Sequence, residues 1–332
     1  MGLACDVLPF DVKELRMKKP SIGVALITHN AKHHLPHCLP PLLGSSLRPK
    51  VLVVNSSSSD GTCEEAKKLG AEVLLVSRAS FNHGSTRDLA RRALGTEIVV
   101  MMTPDAYAAT DDLLEKLIAP LIEKKASVSY ARQLPHKNAP FFEAFPRHFN
   151  YPEKSQLRSL SDVKEHGVYT FFCSNSCAAY VNEALEEVGG FPSVLLGEDT
   201  VVVSRLLHLG HKIAYVSDAK VHHSHDYSLI QEFKRSFDTG LARKSYRNLL
   251  ALGGKDTDRG KKYVKALLKE IALNQPAHLP YAAVQVCARW LGYRLGERSF
   301  KAPLWWKKKL TSQDFYWTSD DYKYRGLRLF KE

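Results

Sequence analysis

The stretch EIVVMMTPDA (97–106) decides how this chain folds. Ile98 to Met102 run without a polar break, as a strand buried on both faces of a parallel sheet does. Thr103-Pro104 ends the run and leaves Asp105 at the strand's carboxyl end. In open α/β sheets ligands bind at that end. A carboxylate there can hold a divalent ion against a diphosphate.

Working outward, β-rich runs recur at SIGVALIT (21–28), KVLVVN (50–55), AEVLLVS (71–77) and ASVSYAR (126–132). Helical patterns fill the gaps: a stretch ending near Leu43, then 63–70, 81–95 and 111–125. Strands alternating with helices predict βαβ units and a mostly parallel central sheet flanked by helices, a Rossmann-like α/β fold. Residues 133–170, rich in Pro, His, Phe and charge, predict an irregular insertion over one end of the sheet. Order returns with an apolar segment at 170–180, a helix and glycine turn at 181–191, a buried helix at 199–211 and a strand with its exit at 212–225. The remainder reads as a C-terminal helical extension. The expected organisation is an N-terminal extension (1–20), a catalytic unit (21–228, with halves at 21–132 and 133–228) and a basic helical region (229–332).

Charge is unevenly placed along the 332 residues. Residues 1–228 hold 25 Lys/Arg and 25 Asp/Glu, whereas residues 229–332 hold 22 and 10, so the whole net charge of +12 lies in the last third. Such asymmetry speaks of partners: anionic lipid, a lipid diphosphate or nucleic acid. A nucleic-acid partner is not expected, because the basic residues form no recognition motif and the first 228 residues are neutral. KAPLWWKKKL (301–310) pairs two tryptophans with three lysines, a composition suited to a membrane interface and equally to a helix packed on the catalytic unit. No segment approaches the ~18–20 apolar residues of a membrane span. The N-terminus lacks the apolar core of a signal peptide, and Asp6 stands where an acylation signal needs Ser or Thr. Six scattered cysteines without a CxxC pair read as reduced thiols. A cytoplasmic protein is expected, peripheral at the inner face of the plasma membrane.

Four further islands could serve a site around Asp105. NSSSSDGT (55–62) follows a strand and opens a helix. Its hydroxyls and free N–H groups suit phosphate or ribose oxygens, though Ser, Asp and Gly favour turns and caps anyway. In FNHGSTRDLA (81–90), Arg87 lies one turn into a helix, where it could reach a diphosphate or pair with a nearby acid. GED (197–199) places Glu198 and Asp199 at a helix start. There they complement the helix dipole or supply a general base for an acceptor hydroxyl. HHSH (222–225) puts His223 and His225 on one face of an extended chain, a metal-ligand arrangement, with His222 facing away.

With these residues in hand, the chain resembles an inverting glycosyltransferase of family 2 with the GT-A fold, most similar to bacterial rhamnosyltransferases that use dTDP-L-rhamnose. The resemblance rests on VVNSSSSDGT, FNHGSTRDLA, MTPDA, FFCSNSCAAY, the EEVGGF to GED spacing and VHHSHDYSL. It implies a nucleotide pocket begun by Thr28, His29 and Asn30, bordered by Asn55, Ser57 and Asp60, and contacted by Arg87. It implies Asp199 as catalytic base with Glu198 beside it. Asp105 becomes the remaining acid of a DxD-type motif, with His223 or His225 completing the contacts to metal or diphosphate. Asn175 and Phe172 would line the sugar pocket. The implied cofactors are a divalent metal (Mg2+ or Mn2+) and a nucleotide-sugar donor, dTDP-L-rhamnose. The implied acceptor is a glycan or lipid-diphosphate-linked glycan of bacterial surface polysaccharide synthesis. Other readings are a UDP-hexose or UDP-N-acetylhexosamine donor on the same fold, or a non-catalytic scaffold. Two departures stand out. Asn55 replaces the family's usual Asp, so the group can donate as well as accept. The DxD motif is reduced to Thr103-Pro104-Asp105, leaving one carboxylate for the cation.

Overall fold

The computed structural model describes residues 19–325; the expected extension at 1–20 lies almost wholly outside them. Among the described residues nine strands form one sheet: β1 (Ile22–Thr28), β2 (Lys50–Ser56), β3 (Glu72–Val76), β4 (Ile98–Met102), β5 (Tyr107–Ala108), β6 (Val128–Leu134), β7 (Gln156–Arg158), β8 (Cys177–Val181) and β9 (Ile213–His222). Their order is β3-β2-β1-β4-β8-β6-β9-β5, with β7 also pairing β9. β1 to β4 are parallel neighbours, and β6 runs parallel to β9. β8, β5 and β7 run against them. Six of the nine strands thus share one direction, and the sheet is mostly parallel, as the alternation of strands and helices predicts.

Alternate residues of each strand feed opposite faces, because side chains change side at every position. Ala25, Val54, Met101 and Tyr130 pack on one face against α3 (His83–Leu94), α7 (Asn182–Glu187) and α8 (Glu198–His208). Val24, Val53, Val100 and Ala179 pack on the other against α1 (Leu35–Leu43), α2 (Thr62–Lys68) and α4 (Leu113–Ile122). The result is a three-layer α/β/α unit of the GT-A type.

The stretch 133–170 is more regular than its composition predicts. It carries the end of β6, then α5 (Phe141–Asn150), β7 and the short α6 (Val163–His166). Its aromatic residues are structural: Phe141, Phe142 and Phe145 pack against Leu267, Ile271 and Tyr263 of the C-terminal region. Long-range burial of this kind leaves no periodic trace in the sequence.

Past residue 228, a capping box formed by Ser228 and Gln231 opens α9 (Leu229–Ser245). It is followed by α10 (Asp256–Asn274), α11 (Leu279–Arg298), α12 (Leu304–Leu310), α13 (Asp314–Thr318) and α14 (Asp320–Arg325). This region shares a core with the catalytic unit, since Leu195 packs with Phe237, Leu241 and Trp317. In α12, Trp306 donates to Ser299 Oγ (3.0 Å) and Lys307 to the Phe300 carbonyl (2.8 Å). Trp305 stays 64% exposed. Among the described residues no helix is long and apolar enough to cross a membrane.

Candidate active site

Strand pairing delivers Asp105 to the histidines. β5 and β9 place Tyr107 opposite His222, and β6 and β9 place Leu134 opposite the same residue. Asp105, just before β5, therefore meets the exit of β9. His223 Nε2 lies 3.5 Å from Asp105 Oδ1, and His225 Nε2 lies 3.6 Å from Oδ2. One ligand atom from each of the three falls within 4.8 Å of the others.

Whether these groups fit a cation turns on the protons of the histidines. Arg147 of α5 donates to Gln133 Oε1 (2.7 Å), and Gln133 Nε2 donates to Ser174 Oγ (2.9 Å). Because arginine can only donate, the Gln133 amide is fixed with its oxygen toward His223. His223 Nδ1, 2.9 Å from that oxygen, must then carry the proton. Nε2 faces Asp105: with a proton it donates to the carboxylate, and without one its lone pair is free for a cation. Burial, with His223 adding to it, lowers the His225 pKa to about 4, so its ring is neutral at pH 7. Burial pushes the Asp105 carboxyl up, but the hydrogen bond and charge of His223 outweigh it and hold the group below the ordinary carboxylate range. One anionic oxygen and two imidazole nitrogens, with the His223 ring held by Gln133, make a donor set suited to a divalent transition ion.

The second part of the site sits at the start of α8. Glu198 is buried. Its Oε1 accepts from Arg87 Nη1 (2.8 Å) and Asn175 Nδ2 (3.0 Å). Burial alone would raise Glu198, but the Arg87 charge wins and keeps it ionised. Asp199 is half-buried. Burial and the neighbouring Glu198 charge raise its pKa to about 6. Two adjacent carboxylates thus have unequal proton affinities, the pattern that separates acid/base roles.

The two parts meet at the turn 174–176, ahead of β8. Ser174 accepts from Gln133, which holds His223. The Asn175 backbone N–H donates to Asp199 Oδ2 (3.3 Å). The Ser176 carbonyl accepts from the Thr103 N–H (3.3 Å), two residues before Asp105. Three consecutive residues therefore tie the Asp105 and Asp199 clusters to one wall.

At the neighbouring strand ends, the loop after β1 is laced to the loop after β2. Thr28 Oγ1 donates to the Val54 carbonyl (3.3 Å), and His29 Nδ1 contacts the Ser56 carbonyl (2.6 Å). The Asn30 N–H donates to Ser58 Oγ (2.7 Å), and Asn30 Oδ1 accepts from Ser59 N (3.0 Å). Asp60 accepts from Lys32 N (3.0 Å) and from Thr62 N (3.0 Å). Ser58 Oγ donates to Asn55 Oδ1 (2.5 Å). Beside this lacing lies a groove of about 470 Å³ lined by Asn55, Ser57, Ser58, Lys67, Leu75 and Ser77. Arg87 does not reach it: its guanidinium is buried against Glu198. Phe172 stacks on Tyr169 (5.1 Å between centroids), two residues before the turn.

The chain matches the family model described as glycosyl transferase family 2 over residues 23–189. The O-antigen chain rhamnosyltransferase RfbN of Salmonella typhimurium is 32% identical to it over 309 residues, covering 91% of this chain and 97% of the relative. The chain belongs to glycosyltransferase family 2. The O-antigen chain rhamnosyltransferase WbaN of Salmonella anatum is 34% identical over 279 residues, covering 82% and 87%. Among solved structures, the mannosyltransferase PcManGT of Pyrobaculum calidifontis, in complex with GDP-Man and Mn2+, superposes with a TM-score of 0.54 at 18% identity. It covers 93% of this chain and 88% of its own, a likeness that concerns the fold.

In this family 2 glycosyltransferase, several residues of the site escaped sequence reasoning. Gln133 left a faint signal, a lone amide at the carboxyl end of β6. Arg147 left none, since α5 lies inside the stretch read as irregular. Tyr180, whose hydroxyl donates to Asn175 Oδ1 (2.7 Å), looked like one more apolar strand residue. Tyr246, on the C-terminal side, brings its hydroxyl against Gly197, next to the paired acids.

Proposed function

We propose that this enzyme transfers L-rhamnose from dTDP-L-rhamnose to a glycan or lipid-linked glycan acceptor, in the synthesis of a bacterial surface polysaccharide. The two O-antigen rhamnosyltransferase relatives support the sugar and the pathway class. The observation that carries the mechanism is the convergence of two unlike acidic clusters on the turn 174–176. The nucleotide would lie along the loops holding Thr28, His29, Asn30, Asn55, Ser57 and Asp60, with its base in the adjoining groove. Asp105, His223 and His225 would hold the divalent ion. Two imidazoles favour Mn2+ over Mg2+, which prefers an all-oxygen shell. Such an ion offsets charge on the departing diphosphate.

Asp199, accessible and with a pKa near neutrality, takes the proton from the acceptor hydroxyl as that oxygen attacks the anomeric carbon. Attack from the face opposite the diphosphate inverts the configuration, and no covalent intermediate forms. Glu198 acts through electrostatics, since its charge raises the proton affinity of Asp199, while Arg87 keeps Glu198 ionised. Asn175 fixes both acids by one backbone and one side-chain bond.

Asp105→Ala is expected to weaken thymidine diphosphate binding in the presence of Mn2+ and leave binding in metal-free buffer unchanged, by titration calorimetry. Equal affinity of variant and wild type in Mn2+ would remove Asp105 from the metal role. Thermal shift with dTDP, UDP and GDP sugars separates the rhamnosyl reading from a UDP-hexose donor.

A further inference from the structure

α11 packs on α9 at backbone distance. A methyl group at Gly292 would overlap the Phe233 carbonyl oxygen, one at Gly296 the Phe237 carbonyl oxygen, and one at Gly240 the Tyr293 carbonyl oxygen. This glycine-lined contact fixes the rotation of α11 about its axis. Ala282, Gln285, Gly292 and Gly296 face inward and are buried. The opposite face, at i, i+3, i+4 and i+7 spacing, is forced outward. Along it, Val284 (52% exposed), Cys287, Trp290 (61%) and Leu291 (53%) form an apolar stripe among the described residues. One turn further the same stripe becomes basic, with Arg294 and Arg298.

The basic end opens on a pocket of about 450 Å³ lined by Lys244, Arg294, Glu297, Arg298, Phe300 and Lys301. Four cations face one acid there, and Glu297 is already paired with Arg294 at 2.9 Å. Side by side, these cations repel one another, and in the pocket lining Glu297 offsets only one of the four charges. An apolar stripe leading into a cationic pocket matches an amphiphile, with chain on the stripe and anionic head in the pocket. Lys244 follows Arg243, which the Asp199 charge reaches.

We propose that the outer face of α11 and its basic pocket dock the enzyme on a bilayer by binding a net anionic phospholipid headgroup. The proposal rests on the lipid-linked acceptor reading and names the surface that would bring the base to it. Trp290 and Leu291 sit at the interface, and Lys244, Arg298 and Lys301 surround the phosphate.

The test uses full-length protein and sedimentation with vesicles of phosphatidylcholine, alone or mixed with phosphatidylglycerol. Wild type is expected to pellet with the mixed vesicles and far less with phosphatidylcholine alone. Arg298→Ser with Lys301→Ser is expected to lower partitioning roughly tenfold or more, since each cation near an anionic surface contributes on the order of a tenfold factor or slightly less. Trp290→Ser with Leu291→Ser is expected to lower it by a similar factor at unchanged charge. All four residues are on the surface, and a circular dichroism melt confirms that the variants fold. The proposal is overturned if wild type pellets equally with both vesicle types, or if both variants bind as wild type does. It is also overturned if inorganic pyrophosphate binds by calorimetry while vesicles do not, which points to a soluble phosphate. Conversion of a dimer to a monomer by the Trp290/Leu291 change, seen in analytical ultracentrifugation, would assign the stripe to a second copy and overturn it as well. Binding of thymidine diphosphate is expected to be unchanged in every variant. Its absence in wild type would fault the transferase reading and leave the docking face standing.

Discussion

Replacing Asp199 by Asn should cut turnover by orders of magnitude and yet stabilise the protein at pH 8, a pairing that few substitutions share. Burial and the Glu198 charge raise the carboxyl from 3.8 to about 6. A group whose folded pKa is raised adds stability that is fully present below the unfolded pKa and is lost as pH rises through the folded one. For Asp199 that window runs from below pH 4 to above pH 6. At about 1.36 kcal/mol per unit, full expression would be about 3 kcal/mol, and partial exposure reduces it to on the order of 2 kcal/mol. Asn cannot ionise, so the variant keeps at pH 8 what wild type loses. It forfeits one weak acceptance, from the Asn175 N–H at 3.3 Å, and keeps the short bond from Thr200 N (2.6 Å) through its own carbonyl. The net gain at pH 8 should be on the order of 1 kcal/mol. Urea unfolding of both proteins at pH 4.5 and pH 8 measures it, with the difference between them growing at the higher pH. Turnover should fall by about 10²–10⁴, the usual contribution of a general base. In wild type kcat/KM should drop about tenfold per pH unit below about pH 6. A variant that keeps its turnover, or a wild-type profile flat between pH 5 and 7, would refute the assignment. A variant no more stable at pH 8 would refute the electrostatic account.

Gln133→Leu removes the acceptor that sets the His223 tautomer, and Mn2+ affinity measured by calorimetry or electron paramagnetic resonance should fall about 10- to 100-fold; an unchanged affinity would show that the amide does not orient the ring. Arg87→Met leaves Glu198 buried without its cation and should cost about 3–5 kcal/mol in urea unfolding. Adding Glu198→Gln should recover most of that loss, and a second loss of equal size would contradict the pairing. Gly296→Ala forces a methyl into the Phe237 carbonyl oxygen and should destabilise by about 1–3 kcal/mol through separation of α9 and α11. A wild-type melting temperature would mean that the helix pair yields without cost.

Much of the architecture was legible because buried strands leave local marks. SIGVALIT, KVLVVN and EIVVMM are apolar runs whose length and breakers mark strands. The polar residues at or just past their carboxyl ends, Asn55 and Asp105, fall at the edge where open α/β sheets bind ligands. The residues 133–170 were not legible in the same way, because Phe141, Phe142 and Phe145 are ordered by contacts with α10, more than a hundred residues away. The outward face of α11 was equally hidden. Apolar and polar residues are mixed all round that helix, and only the glycine contacts with α9 decide which side meets solvent.

The amino-acid sequence, then, settled which residues stand at the strand ends, since local periodicity governs strands and turns. It also placed an excess of positive charge in the last third. The tertiary structure alone decided which of those residues meet: His223 with Gln133, 90 residues apart, and Arg87 with Glu198, 111 residues apart. Proton positions and charge states follow from those meetings, because a tautomer or a carboxyl pKa is set by the few groups within hydrogen-bond and Coulomb reach. Such neighbours are a property of the folded chain, and no spacing along the sequence encodes them.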